Sequence, residues 1–303
     1  MSAEPVLVGV DGGGSGVRAA RVVRTEGGLY DFGSAFVLRA IDAGSDARTY
    51  VRAAADVVAE VADGAASVLF GMGMPGRKTE DGRGIAYALH GPVDVEFLAH
   101  LESALGARGV RLAASCARLD DDGLLGCAGE RLSPRGALRD ANDAYYLGGG
   151  TGLAEAFVVA GEPTAFEDCG RGLSRAWRQF DGEMTFEERL SVRALNQAYR
   201  RAGGRADLPE VGLAHGESAA RETLTGAIQA LQRLVARREE ALGLRFDRIA
   251  ISQRLASVFA TSPARDLLEA SIEGTPLEGR VAVSEVRGSA VVGAGAMADR
   301  RRA

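Results

Sequence analysis

Residues 6–23, VLVGVDGGGSGVRAARVV, set a glycine-rich break between two apolar runs, and that break constrains the chain more than any other segment. Gly12, Gly13, Gly14, Ser15 and Gly16 between two strand-forming stretches predict a tight hairpin. Its backbone N–H groups can approach a phosphate, with Asp11 beside them to hold a cation. A plain β-hairpin of no chemical interest can use the same residues, so a second occurrence matters. It comes at residues 145–153, YYLGGGTGL, which run on into AEAFVVAGEP: again a strand, a glycine turn with a hydroxyl residue, and a strand. Two such hairpins, about half a chain apart, predict two related domains facing one nucleotide.

A length of 303 residues accommodates two domains with separate cores, and 46% hydrophobic with 25% charged residues is ordinary for a globular protein. No run reaches the ~18 apolar residues of a membrane helix, and no basic start precedes an apolar stretch. Cys116, Cys127 and Cys169 fit neither a disulfide framework nor a paired metal motif. These features lead us to expect a cytoplasmic protein without a membrane partner. The net charge of −5 offers no electrostatic reason to expect nucleic acid, and the run Arg300, Arg301, Arg302 is too short to alter that.

Apolar residues recur at helical spacing over 46–63 (Val51, Ala54, Ala55, Val58, Val61), and 66–72 reads as a buried strand ending in Met-Pro-Gly. Residues 93–105 read as a helix and 110–114 as a strand. A similar order then returns, with helices over 186–201 and 217–242 and strands over 248–252 and 281–286. The closing segment SAVVGAGAMADRRR is rich in small residues and predicts a closely packed helix, which either simply closes the fold or lies near an adenine. The whole order is that of an α/β protein.

Five segments in order resemble the ROK family of the actin, heat-shock ATPase and sugar kinase superfamily. DGGGSG is similar to its first phosphate loop and GMGMPGRKTEDGRGIAYAL to its Pro-Gly segment. LDDDGLLGCAGE is similar to its Asn-Asp segment, LGGGTGLAEAFVVAGE to its second phosphate loop, and SAVVGAGAMA to its closing helix. The resemblance implies two actin-like (ribonuclease H-like) α/β domains, each a mixed sheet flanked by helices, with an interdomain cleft. They would span 1–115, joined by the closing helix 289–303, and 116–288. It implies ATP and Mg2+ as cofactors, a sugar or cyclitol as substrate, and a homodimer. Asp122 falls on the family's catalytic aspartate and Asp121 on its sugar-binding asparagine. Pro75, Gly76, Glu130, Glu167, Asp168 and Arg171 fall in its substrate segments. Gly12, Gly13, Gly14 and Ser15 would hold one end of the triphosphate, Gly149, Gly150, Thr151 and Gly152 the other, and Asp11 the metal.

The chain departs from the family at three places. The Glu-x-Gly-His segment reads FEDCGRGLSRAW, without the histidine, and the cysteine-rich zinc loop is missing, so no structural zinc is expected. The Gly-Gly adenine loop reads IAISQRLASVF, so Arg254 would stack on the base or ATP binding would be weakened.

Plain readings stand beside these. The run Asp120, Asp121, Asp122 also suits a solvated turn or a helix start, Glu167, Asp168 and Arg171 an ordinary charged loop, and Arg18 a solvated strand position. Trp177 suits the core better than a sugar face. Tyr146 and Leu147 stand where ATP-hydrolysing relatives carry a water-positioning aspartate, which favours an alcohol acceptor over water. The chain begins almost at its first strand, without the helix-turn-helix of the family's repressors, so DNA binding is not expected. The expectation is an ATP-dependent kinase for a hydroxyl of a sugar, amino sugar or cyclitol. The alternative is a non-catalytic sugar or nucleotide sensor on the same fold.

Overall fold

The computed structural model describes residues 4–14, 16–42, 44–88, 91–170 and 172–302, which form two compact units. The first contains residues 1–136 and 288–303, the second residues 137–287.

In the first unit the alternating apolar runs pair as β1 (Val6–Gly13) and β2 (Gly16–Arg24), antiparallel, with Gly13 opposite Gly16 across a two-residue turn. Strands β3 (Tyr30–Phe32) and β4 (Val37–Ala40) both pair with β2. Helix α1 (Ala47–Val61) starts where Asp46 accepts a hydrogen bond from the Thr49 amide at 2.8 Å, and it buries Tyr50, Val51, Ala54, Val58 and Val61. Strand β5 (Val68–Gly73) is buried along its length and runs parallel to β1. The short strands β6 (Arg77–Lys78) and β7 (Ile85–Tyr87) form a separate hairpin. Helix α2 (Phe97–Gly106) follows, then β8 (Leu119–Asp120), parallel to β5, and α3 (Asp122–Leu132). The sheet order is β3-β2-β1-β5-β8.

Two sequence expectations shift here. Helix α2 begins at Phe97, not 93, because Asp94 exchanges two backbone hydrogen bonds with Ile85 (2.7 and 3.0 Å) and holds the preceding residues extended. The segment 110–114 supplies one bridge, Leu112 to Val68, and not a strand.

The second unit repeats the plan. Strands β9 (Ala144–Gly149), β10 (Leu153–Val159) and β11 (Glu162–Ala165) form an antiparallel meander. After the small hairpin β12 (Phe180–Asp181) and β13 (Met184–Thr185) come α4 (Phe186–Leu190), α5 (Val192–Arg201), α6 (Pro209–Ala214) and α7 (Ser218–Leu242). The expected single helix over 186–201 is broken at Ser191, whose extended backbone (ψ 145°) ends α4 while its side chain caps α5. Strand β14 (Arg248–Ser252), α8 (Gln253–Ala260), α9 (Ser262–Ile272) and β15 (Val281–Val283) complete the unit. The order β11-β10-β9-β14-β15, with β14 parallel to both neighbours, reproduces the directions of the first sheet. Each unit is therefore a mixed sheet with flanking helices, as expected, and each glycine turn joins the equivalent pair of strands.

The core of the second unit contains a charged group. Glu155 on β10 and Arg238 on α7 are each 1% exposed; Arg238 donates to Glu155 Oε1 from Nε (3.0 Å) and Nη2 (2.7 Å). Tyr145 donates to the same oxygen at 2.6 Å, and the Ala176 amide donates to Oε2 at 2.6 Å.

Helix α10 (Ser289–Arg302) returns to the first unit, where glycines let it approach closely. A Cβ on Gly293 would lie 1.9 Å from the Leu125 carbonyl oxygen, and one on Gly129 1.9 Å from that of Ser289. Because α10 also touches β1 and β5, residues 116–136 are held in the first unit through β8 and α3. The division accordingly falls after Gly136 and not at the expected 115/116. Gly293→Ala is expected to destabilise the protein by about 1–3 kcal/mol or more, read as a lower urea midpoint at constant m, since a backbone carbonyl cannot move aside cheaply.

Candidate functional site

In the first unit, β1, β5 and β8 are in parallel register, with Asp11 opposite Gly73 and Gly73 opposite Asp120. Three sequence-singled segments therefore leave one edge of the sheet together: Asp11 with its glycine turn, Pro75 and Gly76, and Asp121 with Asp122. The carboxyl ends of parallel strands are where open α/β sheets bind ligands. A Cβ on Gly12 would sit 2.1 Å from the Met74 sulfur, so a larger residue there requires the Met74 side chain to shift. Gly13 and Gly14 complete the described part of the turn, and Ser15 lies outside the described residues.

Asp11 is not alone at its strand end. The hairpin register puts Arg18 directly across, and Arg18 donates to Asp11 Oδ2 from Nε (2.9 Å) and Nη2 (2.7 Å). Burial pushes the Asp11 carboxyl up, and the guanidinium opposes that shift. The expected solvated Arg18 is thus the partner of the expected metal ligand. Its signal was present in the sequence: a two-residue turn forces residues 11 and 18 opposite one another.

Gly76 adopts φ 98°, and a Cβ there would lie 2.4 Å from the Tyr87 carbonyl oxygen. Lys78, the sole lysine in the sequence, donates from Nζ to the carbonyl oxygens of Met74 (2.6 Å) and Gly76 (2.7 Å), fixing the Pro-Gly segment. The Met74 amide in turn donates to the Asp120 carbonyl at 3.1 Å.

The acidic run divides among three roles. Asp120 is 2% exposed and receives the Arg301 guanidinium. Asp121 caps α3, its Oδ1 accepting from the Gly123 amide at 2.9 Å. Asp122 opens the helix half-buried, its Oδ1 accepting from the same amide at 3.0 Å. Both carboxylates stand where the helix dipole favours negative charge. Glu130 lies eight residues, or ~12 Å, farther along α3 and is fully buried, so it is not brought to this edge.

In the second unit, the turn 150–152 follows β9, with Gly149 opposite Leu153 and the Gly150 amide donating to the Gly152 carbonyl at 2.9 Å. Thr151 is exposed at its tip. Sequence reasoning missed Glu187: from the first turn of α4 its Oε2 accepts from the Leu153 amide at 3.0 Å and packs against Gly152, where a Cβ would lie 2.9 Å from it. The side chain of exposed Arg254 runs beside Gly150, where it can put positive charge against this turn; a Cβ on Gly150 would be 3.7 Å from its Cδ. Glu167 and Asp168 lie exposed on the turn after β11, which runs in the same direction as β9 and ends at the same edge. Glu167 is tied to Arg175 at 2.6 Å, Trp177 is 47% exposed and outside the core, and Arg171 lies outside the described residues.

The segment expected to form the adenine loop keeps a glycine's backbone without the glycine. Gln253 has φ 58°, the left-handed region, and bridges to Gly149. Gln253→Gly is expected to raise stability by about 1 kcal/mol, measured by denaturant unfolding; a loss would mean that the glutamine side chain outweighs the backbone strain.

A single carboxylate at Asp11 suits Mg2+, which is commonly held by one or two carboxylates together with waters and substrate phosphates. Among the described residues no three His, Cys, Asp or Glu side chains gather as a metal cluster, and no described helix is long and apolar enough to cross a membrane.

This architecture is the two-domain fold of the ROK-family sugar kinases. A ROK family glucokinase from Streptomyces griseus, in complex with glucose and AMPPNP, superposes with a TM-score of 0.69 at 17% identity, covering 98% of this chain and 100% of that one. A ROK hexokinase from Thermus thermophilus superposes at 0.65 and 17% identity, covering 98% of each chain. A ROK family transcriptional regulator, a homolog of the E. coli MLC protein, superposes at 0.67 and 15% identity, covering 97% of this chain and 78% of that one. No family profile and no curated protein sequence matches the chain.

Proposed function

We propose that this protein is an ATP-dependent kinase for a hydroxyl of a sugar, amino sugar or cyclitol. The observation that carries the reading is the sheet edge of the first unit, where the glycine turn, Asp11, the Pro-Gly segment and the Asp121–Asp122 helix start meet. The equivalent glycine turn in the second unit supports it. Gly12 to Ser15 and Gly149 to Gly152 would bind phosphate through backbone N–H groups, with Arg254 adding charge at the second turn. Asp11 would hold Mg2+, exchanging one of its contacts with Arg18; the ion would offset charge on the phosphates.

Pro75, Gly76, Asp121, Glu167, Asp168 and Arg171 would line the acceptor, with Lys78 holding the Pro-Gly segment in place. Asp122 would take the proton from the acceptor hydroxyl. That oxygen then bonds to the γ-phosphorus, the bond from phosphorus to the β–γ bridging oxygen breaks, and ADP leaves. Glu130 would act as a buried prop of α3 and not as a substrate contact.

A panel of sugars and cyclitols with ATP and Mg2+ tests the proposal. Turnover on at least one, lost in Asp122→Asn, is expected; no turnover on any would overturn it. The second reading, a sugar or nucleotide sensor, is favoured by Gln253 and Arg254 at the adenine loop and by a regulator among the similar structures. Calorimetry separates the two, since a pure sensor of sugar binds it without Mg2+-dependent affinity for ATP.

A further inference from the structure

Arg301 belongs to the arginine run that the charge argument set aside, yet the packing of α10 carries it to the proposed active helix. Helices α3 and α10 meet antiparallel, with Gly129 against Ser289 and Leu125 against Gly293. Continuing that register for two more turns takes α10 past the first residue of α3, to the corner where β8 delivers Asp120. There Arg301 donates from Nη1 to Asp120 Oδ2 (2.6 Å) and from Nη2 to Oδ1 (2.8 Å), a two-pronged pair. Asp120 is 2% exposed, and Asp121 and Asp122 follow it in the chain.

We infer that Arg301 is a positioning residue: its clamp on Asp120 fixes the start of α3, and with it the carboxylate of Asp122. The kinetic part of this inference rests on the proposed kinase reading; the clamp itself does not. The groups facing Asp120 are Arg301 from α10, Arg118 at 3.4 Å from the preceding segment, and the Cys116 thiol, while Asp121 and Asp122 follow it in the chain. Burial, reinforced by Asp120, pushes that thiol up to about 12, so it stays neutral and offsets none of the negative charge. Arg118 is more than half exposed and at longer range. Arg301 is therefore the principal counter-charge of a buried carboxylate adjoining the proposed base. It also holds that carboxylate at both oxygens, which a point charge would not do.

The experiment compares wild type, R301Q, R301K and D120N/R301Q by hydrogen exchange and, where there is turnover, by kinetics. In R301Q, exchange over residues 117–126 is expected to rise about tenfold or more while β9–β10 exchange is unchanged. Its kcat should fall by about tenfold or more with KM for ATP within about twofold, and the acid limb of its pH profile should move upward by about half a unit to one unit. R301K should recover part of the loss. D120N/R301Q should return the acid limb to its wild-type position, since no buried charge is left, while exchange stays faster than wild type.

Wild-type exchange over 117–126 in R301Q would overturn the inference. Should R301Q fail to fold, D120N/R301Q carries the same exchange test, with acceleration supporting the clamp and wild-type protection overturning it. A wild-type protein that phosphorylates nothing would sink the kinase reading while the exchange comparison still decides the clamp.

Discussion

Asp122→Asn is expected to lower kcat for sugar phosphorylation by about 10²–10⁴-fold, with KM for ATP little changed and stability within about 1 kcal/mol of wild type. The replacement is nearly isosteric, and its amide oxygen can still accept from the Gly123 amide, as Asp122 Oδ1 does at 3.0 Å. What disappears is the ability to accept a proton from the acceptor hydroxyl. The helix start loses one negative charge, worth only a few tenths of a kcal/mol at a half-exposed position. Steady-state kinetics beside an unfolding curve separate the two effects. An Asp122→Asn enzyme that turns over at the wild-type rate would remove Asp122 from the chemistry and with it the mechanism proposed above.

The largest effect on stability is expected from Glu155→Ala, which should cost about 3–5 kcal/mol, read from the urea midpoint of the transition that reports the second unit. Arg238 is 1% exposed and donates two of its hydrogen bonds to Glu155 Oε1; without that carboxylate a guanidinium stays buried with its main partner gone. Tyr145 and the Ala176 amide lose their acceptor in the same step. The double replacement Glu155→Leu with Arg238→Met should recover a large part of the loss, because an apolar pair leaves no charge to desolvate. Equal destabilisation in the single and double variants would show that the lost hydrogen bonds to Tyr145 and Ala176, and not the orphaned charge, set the cost.

The hairpins were legible because glycine tolerance and alternating apolar residues are properties of neighbouring positions. The same holds for α1, whose cap at Asp46 and apolar spacing both lie within its own segment. Helix α2 was misjudged at its start because the bridge between Ile85 and Asp94 competes with helical geometry there, and nothing in residues 93–96 announces that partner. The domain boundary was misplaced for a related reason. Residues 116–136 stay with the first unit through β8 pairing with β5 and α3 packing on α10, and both partners are distant in the chain.

Among the candidate site residues, those near the carboxyl end of a strand or just after it, Asp11, the two glycine turns and Asp122, were singled out from local pattern and family resemblance. Arg18 was recoverable from hairpin register. Lys78, Glu187 and Arg301 were not found, because each acts on a group that a turn, a helix or the closing segment brings to it.

By itself the sequence determined the repeated strand–glycine turn–strand unit and the α/β class, both of which follow from backbone freedom and side-chain periodicity over a few residues, while it left the acidic run open between a turn and a helix start. Only the tertiary structure decided which charge each carboxylate meets. Glu155 finds Arg238 at a separation of 83 residues, and Asp120 finds Arg301 at 181. Such pairs are set by strand register and by how closely two helices can approach, quantities that belong to the packed chain and to no single stretch of it.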